Sequence, residues 1–103
     1  MADFPIWKYG TGEITIVLVH GGPSLSRYMN TLGEALKDYY HIVEYQQRGT
    51  PEFPGDASLD LLLDDLESVL SETSPHRILV GHSWGATLVN LYLARKKRKS
   101  HFH

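Results

Sequence analysis

The sequence contains no cysteine, which excludes a disulfide framework, a thiolate nucleophile and cysteine-bound metal. It also contains no apolar run near the roughly 18 residues that a membrane-spanning helix needs. The first residues lack a basic segment followed by an apolar one, so no secretory leader is expected. A phosphate-binding loop, a dinucleotide fingerprint and a metal-ligand cluster are missing as well. We therefore expect no membrane partner, no cofactor, no metal and a cytoplasmic location.

The formal net charge of −2 is unevenly distributed along the chain. Residues 1–94 contain all 12 acidic residues against five basic ones, whereas residues 95–99 are five consecutive basic residues. Such a block occurs in nucleic-acid-binding segments and import signals. Because the rest of the chain is acidic and offers no matching basic surface, we favour a solvated tail. We expect residues 95–103 to be disordered or a frayed helix end, without a nucleic-acid partner.

Hydrophobic residues make up 42% of the 103 residues, which suits one small globular domain. The apolar pattern predicts strands at about residues 4–9, 14–19, 41–45 and 77–80. Pro5 places the first at a sheet edge. The second is apolar and β-branched on both faces, which is typical of a central parallel strand.

Three helices are predicted between and after these strands. The first spans about residues 25–39 and is weakened by Gly33, the second begins at the N-cap Ser58 with Asp60 in its first turn, and the third spans about residues 86–97. The first helix has an apolar stripe of Tyr28, Leu32, Ala35, Leu36 and Tyr39. The second has one of Leu59, Leu62, Leu63, Leu66, Val69 and Leu70, and its solvated face is predicted to consist of Asp64, Asp65 and Glu67.

Strands that alternate with helices indicate an α/β fold with a mostly parallel sheet. If the crossovers are right-handed and strand 14–19 is central, strand 41–45 lies on one side of it and strand 77–80 on the other. A crevice opens where the winding reverses, outside the carboxyl ends of the strands. The loops after residues 19 and 80 are therefore expected to meet.

The second of these loops contains Gly81-His82-Ser83-Trp84-Gly85, a Gly-x-Ser-x-Gly pattern between a strand and a helix. This context is typical of a sharp turn that exposes a nucleophilic serine. Gly81 and Gly85 are expected because a Cβ at either place would press on a neighbouring strand or helix. The alternative interpretation is an ordinary strand-to-helix turn whose serine only caps the helix.

Three motifs together resemble the α/β-hydrolase fold. His20-Gly21-Gly22-Pro23 resembles its oxyanion loop, Gln47-Arg48-Gly49 resembles the motif after its fourth strand, and residues 81–85 resemble its nucleophile elbow. The combination is most similar to the prolyl iminopeptidase-related branch, and it covers about residues 4–95. The resemblance implies the N-terminal half of such a fold, with a small-molecule or peptide substrate.

The resemblance also implies roles for individual residues. Ser83 would be the nucleophile, and the backbone amides of Trp84 and Gly22 would form the oxyanion hole. A serine at the elbow argues against the epoxide hydrolases and haloalkane dehalogenases of this fold, which use aspartate there. Loop-shaping roles would fall to His20, Gly21, Pro23, Gly81 and Gly85. The chain departs from the family pattern at Gln46, where aspartate is usual, and at Ser24, where glycine is usual.

The acid and the histidine of a catalytic triad come well after the nucleophile in this family. Here no aspartate or glutamate follows Ser83, and a helix would carry His101 and His103 away from it. We therefore expect a truncated hydrolase that is inactive or weakly active alone, with the strand at 77–80 as an exposed edge. That edge predicts self-association or a partner chain. The alternatives are a second polypeptide that completes the triad, and a non-enzymatic interaction or regulatory fragment.

Overall fold

The computed structural model of the protein describes residues 4–22, 27–50, 55 and 57–101, apart from the side chains of residues 99–101. Four strands and three helices alternate along the chain. The strands are β1 (Ile6–Gly10), β2 (Thr15–Val19), β3 (His41–Tyr45) and β4 (Arg77–Gly81). The helices are α1 (Asn30–Leu36), α2 (Leu59–Ser71) and α3 (Trp84–His101).

The four strands form one sheet in the order β1-β3-β2-β4. β1 is antiparallel to β3, whereas β2 is parallel to both β3 and β4. This confirms the predicted sheet, with the apolar β2 at its centre and β1 and β4 at its edges. Val19 at the end of β2 pairs with Gly81 at the end of β4, so the loops that follow these strands leave the sheet side by side.

The larger hydrophobic core lies on one face of the sheet, under α2 and α3. Alternate strand residues, Val17, Val19, Val43 and Tyr45, meet the buried residues of both helices there. The opposite face has a smaller core, in which Ile16, Leu18, Ile42 and Met29 are buried beneath α1. The alternation of side chains along each strand therefore divides the apolar residues between two helical layers.

The predicted start of α2 is confirmed, because the Oγ of Ser58 accepts a hydrogen bond from the N–H of Leu61 at 3.4 Å. The predicted stripe is buried from Leu62 to Leu70, but Leu59 remains 43% exposed. The assignment of Asp65 to the solvated face was wrong. This aspartate is 6% exposed and pairs with Arg48, whereas Asp64 is exposed as predicted.

The prediction for the first helix was wrong in its extent and only partly correct in its buried face. α1 begins at Asn30 rather than near residue 25, although residues 25 and 26 lie outside the described part of the chain. Of the predicted stripe, Tyr28 and Leu36 pack against the core of this face, whereas Leu32, Ala35 and Tyr39 are exposed. The other inward-facing positions are Met29, Gly33 and Tyr40. Gly33 lies close to β1, because a Cβ at this position would lie 2.0 Å from the hydroxyl of Tyr9, and the Tyr9 side chain would have to shift.

α3 is longer than predicted and continues through the basic block to His101. Two of the basic residues bind acidic residues of α2. Arg95 lies 3.1 Å from Asp64, and Lys96 lies 3.4 Å from Glu67. Among the described residues, no helix combines the length and the apolar character needed to cross a membrane.

Candidate active site

The turn between β4 and α3 has the strained geometry expected of a nucleophile elbow. Ser83 has a φ of 58°, in the left-handed region that costs a non-glycine residue about 1–2 kcal/mol. A Cβ on Gly85 would lie 2.0 Å from the carbonyl oxygen of Val19, and one on Gly81 would lie 2.5 Å from the carbonyl oxygen of Gly85. Both glycines are therefore imposed by the close approach of α3 to β2 and β4.

Backbone hydrogen bonds fix this turn against the central strand. The N–H of His82 donates to the carbonyl of Val19 at 3.2 Å, and the N–H of Gly85 donates to the carbonyl of His82 at 2.9 Å. The N–H of Ala86 donates to the carbonyl of Ser83 at 3.0 Å, which begins the helix. Within the described part of the chain, the amide of Trp84 has no acceptor, so it is available at the N-terminus of α3.

His20, at the end of β2, is a buried structural residue. Its Nδ1 lies 3.0 Å from the carbonyl oxygen of Gly21, and its Nε2 accepts a hydrogen bond from the N–H of Gln47 at 3.0 Å. These contacts define the neutral tautomer that carries its proton on Nδ1. Because both ring nitrogens are engaged, His20 orients its loop and is not placed to take a proton from Ser83.

Gln47 connects all three motifs. Its side-chain amide donates to the carbonyl of His20 at 2.6 Å, and its Oε1 accepts a hydrogen bond from the indole N–H of Trp84 at 3.2 Å. Its own carbonyl accepts the hydroxyl of Thr50 at 2.7 Å. The glutamine of the Gln-Arg-Gly motif thus fastens the loop after β2 to the elbow.

Arg48, the next residue, binds α2 instead of the site. Its guanidinium forms two parallel hydrogen bonds with Asp65, at 2.6 and 2.7 Å. This bidentate geometry is the strongest that an arginine and a carboxylate adopt. It holds the loop after β3 against α2, and Gly49 completes the turn with a φ of 86°. Sequence periodicity could not find this pair, because it joins a loop to a helix.

Gly21 lies directly against the elbow. A Cβ on this residue would lie 3.1 Å from the carbonyl oxygen of His82 and 3.3 Å from the Cβ of Ser83. Its amide donates to the hydroxyl of Tyr28 at 2.7 Å. The predicted convergence of the two loops is therefore confirmed. The amide of Gly21 is therefore engaged with Tyr28. Gly22, the next residue, lies in open space, because a Cβ on it would have no neighbour within 4 Å. Pro23 lies outside the described residues.

Tyr28 is a site residue that the helical pattern assigned to an apolar stripe. Its hydroxyl lies 2.7 Å from Nδ1 of His82, and the two rings meet edge to face with centroids 5.4 Å apart. The elbow histidine is thus held by a residue from the segment before α1. No signal in the sequence identifies this contact, because the two residues are 54 positions apart.

A buried polar cluster lies next to Tyr28, on the α1 face of the sheet. Glu44 accepts hydrogen bonds from Arg27, Tyr9 and Asn30. Burial would raise the pKa of Glu44, but these hydrogen bonds outweigh it and hold the pKa below its ordinary value. Burial and the neighbouring carboxylate raise the pKa of Tyr9 to about 12. The guanidinium of Arg27 also lies 4.5 Å from the ring centre of Trp7.

No described residue is placed as a general base for Ser83. The serine side chain is exposed and forms no hydrogen bond with a described residue, His20 is engaged elsewhere, and His82 binds Tyr28. The 18 residues of α3 carry His101 on the order of 25 Å away from the elbow. His103, Glu52 and Asp56 lie outside the described residues.

Among those that the structure describes, no group of three histidine or acidic residues could hold a metal ion.

Several cavities lie beside the elements that carry the motifs. One of about 400 Å³ is lined by residues of β4 and α3, among them Arg77, Leu79 and Leu93. A cavity of about 270 Å³ adjoins Trp84 and is lined by Gln47, Arg48, Ala57 and Leu62. A larger one, of about 770 Å³, lies between the first turn of α2 and the last turns of α3, with Leu59, Leu91 and Arg98 among its lining residues. Because α3 leads away from Ser83, the cavity beside Trp84 is the one of these three that belongs to the neighbourhood of the elbow.

The fold recurs in solved structures of hydrolases. An alpha/beta hydrolase from Sphaerobacter thermophilus superposes with a TM-score of 0.78 at 23% identity, over 89% of this chain and 36% of that one. A marine microorganism esterase superposes with a TM-score of 0.77 at 20% identity, over 92% of this chain and 38% of the esterase. At this level of identity, both likenesses concern the fold.

A similarity in sequence is found with a curated protein of Shewanella oneidensis. This protein, a cis-3-alkyl-4-alkyloxetan-2-one decarboxylase, is 36% identical over 94 residues, which cover 84% of this chain and 29% of the relative. The chain thus spans about a third of the length of the proteins that it matches. The model of the alpha/beta hydrolase family matches residues 16–100, which include β3, β4, α1 and α2 in full and all but one residue each of β2 and α3. The protein therefore belongs to the alpha/beta hydrolase family.

Proposed function

We propose that the chain carries the nucleophile and the oxyanion hole of a serine acyl hydrolase, similar to the prolyl iminopeptidases and esterases. Ser83 is the nucleophile, and the amides of Trp84 and Gly22 receive the negative charge that develops on the carbonyl oxygen. The observation that supports this most is the left-handed Ser83 at the turn between β4 and α3, with its exposed side chain.

The amides around the elbow support this assignment of the oxyanion hole. The amide of Trp84 has no acceptor among the described residues and lies at the N-terminus of an 18-residue helix, where the backbone carries a partial positive charge. The amide of Gly21 is bound to Tyr28, which leaves Gly22 as the donor from the opposite loop. The two proposed donors thus approach the serine from two different elements.

The substrate class that we propose is a compound with an ester or amide carbonyl. The relative from Shewanella is named for an oxetan-2-one, whose ring contains an ester group. Ser83 would attack the ester or amide carbonyl of the substrate and pass its proton to a base. The bond from the acyl carbon to the alcohol oxygen or amine nitrogen then breaks, this leaving group takes the proton from the base, and the acyl group stays on Ser83 as an acyl-enzyme. Since no described residue is placed as that base, we expect acylation by the chain alone to be slow and turnover to be feeble.

Modification of Ser83 by a fluorophosphonate, followed by intact mass spectrometry and peptide mapping, tests this proposal. Imidazole added to the solution can replace the missing base, so we expect it to accelerate phosphonylation. Ser83→Ala is expected to abolish the adduct. Ser71→Ala, which removes another exposed serine hydroxyl, is expected to retain it. An adduct that persists in Ser83→Ala, or a Ser83 that remains unmodified with excess reagent and imidazole, would contradict the proposal.

We also propose that the chain associates with a second copy of itself through β4. This strand is at the edge of the described sheet, and Ile78 on it is 47% exposed. Unpaired backbone groups beside an exposed apolar side chain favour strand pairing. Ile78→Lys should lower the average mass in light scattering, whereas Leu32→Lys, at a site on α1 that is 39% exposed, should not. A chain that is monomeric at all concentrations would contradict this proposal.

A further inference from the structure

We propose that Tyr28 is the positioning residue of the elbow. One hydroxyl group receives the amide of Gly21 at 2.7 Å and contacts Nδ1 of His82 at 2.7 Å. The same atom therefore joins the loop after β2 to the residue that precedes Ser83. We infer that Tyr28 sets the distance between the two loops and fixes the tautomer of His82.

The direction of the two hydrogen bonds at the Tyr28 hydroxyl follows from the single proton that this hydroxyl carries. A tyrosine hydroxyl has one proton to donate and can accept from a neighbouring N–H. Because the amide of Gly21 donates to it, the hydroxyl proton is directed to its other neighbour, Nδ1 of His82. If Nδ1 carried the proton instead, the hydroxyl would accept twice, and its own proton would find no acceptor among the described residues.

This arrangement selects the tautomer of His82 that carries its proton on Nε2. His82 is exposed, and no residue in the described part of the chain accepts a hydrogen bond from Nε2. The result is a free N–H donor on the residue next to Ser83. A polar oxygen of a bound ligand is the group that such a donor recognises.

Tyr28 is itself anchored by the residue that precedes it. Arg27 has a φ of 51°, and Arg27 and Ser83 are the two non-glycine residues with positive φ in the described part of the chain. The Arg27 side chain is held by Glu44 at 3.0 Å and by the ring of Trp7. These contacts hold the residue that directly precedes Tyr28, whose hydroxyl reaches Gly21 and His82. A strained residue thus lies beside each of the two loops that Tyr28 connects.

The inference predicts a specific effect of removing one oxygen atom. Tyr28→Phe keeps the ring that packs on His82 but removes both hydrogen bonds. Tyr39→Phe is the matched control, because Tyr39 is 76% exposed and the substitution is chemically identical. Nitrogen-15 NMR of the full chain at alkaline pH, where imidazoles are neutral, reports the tautomer of each histidine ring.

In the unmodified chain and in Tyr39→Phe, we expect the His82 proton on Nε2 and a downfield, protected Gly21 amide. In Tyr28→Phe, we expect a mixture of His82 tautomers and a Gly21 amide that exchanges about fivefold faster, as loss of one ordinary hydrogen bond implies. An Nδ1–H tautomer in the unmodified chain would overturn the proposal. So would a Tyr28→Phe variant in which both signals remain unchanged.

A second pair of variants decides the matter if Tyr28→Phe does not fold. The Oδ1 of His82→Asn can replace Nδ1 as an acceptor, whereas His82→Leu offers none. His82 is exposed, so neither change disturbs the core. We expect the Gly21 amide signal to keep its position in His82→Asn and to move in His82→Leu. Equal signals in the two variants would overturn the role of Tyr28 as a bridge.

The consequence for Ser83 rests on the proposed function and is measured separately. With imidazole present, fluorophosphonate modification of Ser83 should be slower in Tyr28→Phe than in Tyr39→Phe. If Ser83 is unmodified in every variant, the proposed nucleophile is wrong, while the NMR signals still decide whether Tyr28 positions the elbow. Equal rates in the two variants, combined with the expected NMR changes, would limit the role of Tyr28 to local order and would overturn its effect on the nucleophile.

Discussion

The two faces of the sheet are held by different kinds of interaction. On the α2 and α3 face, 13 buried residues form a continuous apolar core. On the α1 face, four buried residues form the core, and beside them Glu44 accepts hydrogen bonds from three residues. The packing of the first face is stabilised by buried apolar area. The packing of the second is stabilised largely by hydrogen bonds to the buried carboxylate of Glu44. The elbow is attached to both, through Trp84 on one side and Tyr28 on the other.

The largest expected effect comes from the apolar face. Leu66 is fully buried in α2, so Leu66→Ala should lower the free energy of unfolding by about 3 kcal/mol, through lost burial and the cavity left behind. Leu59→Ala is the matched control, because it makes the same change in the same helix at an exposed position. Urea unfolding should show a loss of under about 1 kcal/mol for the control. Equal losses in the two variants would remove the distinction between buried and exposed positions of α2.

The next effect comes from the polar face. Glu44→Gln keeps the shape of the side chain but leaves Arg27 without its charged partner. It also places an amide NH2 group, which is a donor, against groups that are themselves donors. We expect a loss of about 2 kcal/mol in the free energy of unfolding, typical of hydrogen bonds to a charged group.

The control for this change is Glu34→Gln, which removes a carboxylate paired with Lys37 at 2.7 Å on the surface. Its side chain is half exposed, and a pair of this kind contributes under about 0.5 kcal/mol. If the two glutamine variants unfold at the same urea concentration, the buried cluster is no more important than a surface pair.

Gly33→Ala tests whether helix propensity or side-chain packing determines the free energy of unfolding at this position of α1. Helix propensity alone would make alanine more favourable by about 1 kcal/mol. The structure predicts the opposite, a loss of about 1–2 kcal/mol, because the new Cβ would meet the hydroxyl of Tyr9 at 2.0 Å. In a Tyr9→Phe background the substitution should cost less, because the closest atom is gone. Thermal unfolding of the four combinations measures the coupling, and a stabilised Gly33→Ala single variant would contradict the packing.

The smallest effect is a dependence on pH. The pKa of Glu44 is lower in the folded chain than its ordinary value of 4.5, so near that pH the unfolded chain binds more protons. The stabilisation by this carboxylate is complete above pH 4.5 and is lost as the pH falls through the lower folded value. The stability difference between the unmodified chain and Glu44→Gln should therefore narrow on acidification, as followed by urea unfolding from pH 7 to 3. A difference that widens would reverse the sign.

The strands of the sheet can be predicted from the sequence because they are short apolar runs bounded by turn residues. The β-branched residues of β2 indicate a central strand, and right-handed crossovers then determine the order of three strands. The elbow was also predictable, since a Gly-x-Ser-x-Gly between strand and helix implies close backbone contacts on both sides of the serine. The roles of Ser83, Trp84 and Gly22 in chemistry remain predictions.

The sequence failed where a residue had two possible partners. Asp65 has helical spacing that fits a solvated face, yet it is bound by Arg48 from another element. Tyr28 packs on the core as its apolar stripe predicts, but its hydroxyl also contacts His82, which the stripe does not reveal. α1 is the least regular case, because its segment contains several apolar residues and Gly33, and more than one stripe can be drawn through them. Which stripe faces the sheet is decided by where Tyr9 and Ile42 leave room, and this is a property of the sheet.

By itself, the sequence determined the order of strands and helices, the α/β class and the position of the elbow, because these follow from local pattern and chain connectivity. The tertiary structure alone decided which polar side chains are satisfied by one another. The pairs Arg48–Asp65, Arg27–Glu44 and Tyr28–His82 are 17, 17 and 54 positions apart. A hydrogen bond requires its atoms to lie within about 3 Å of each other. Only the packed sheet and helices bring groups so distant in sequence to that separation.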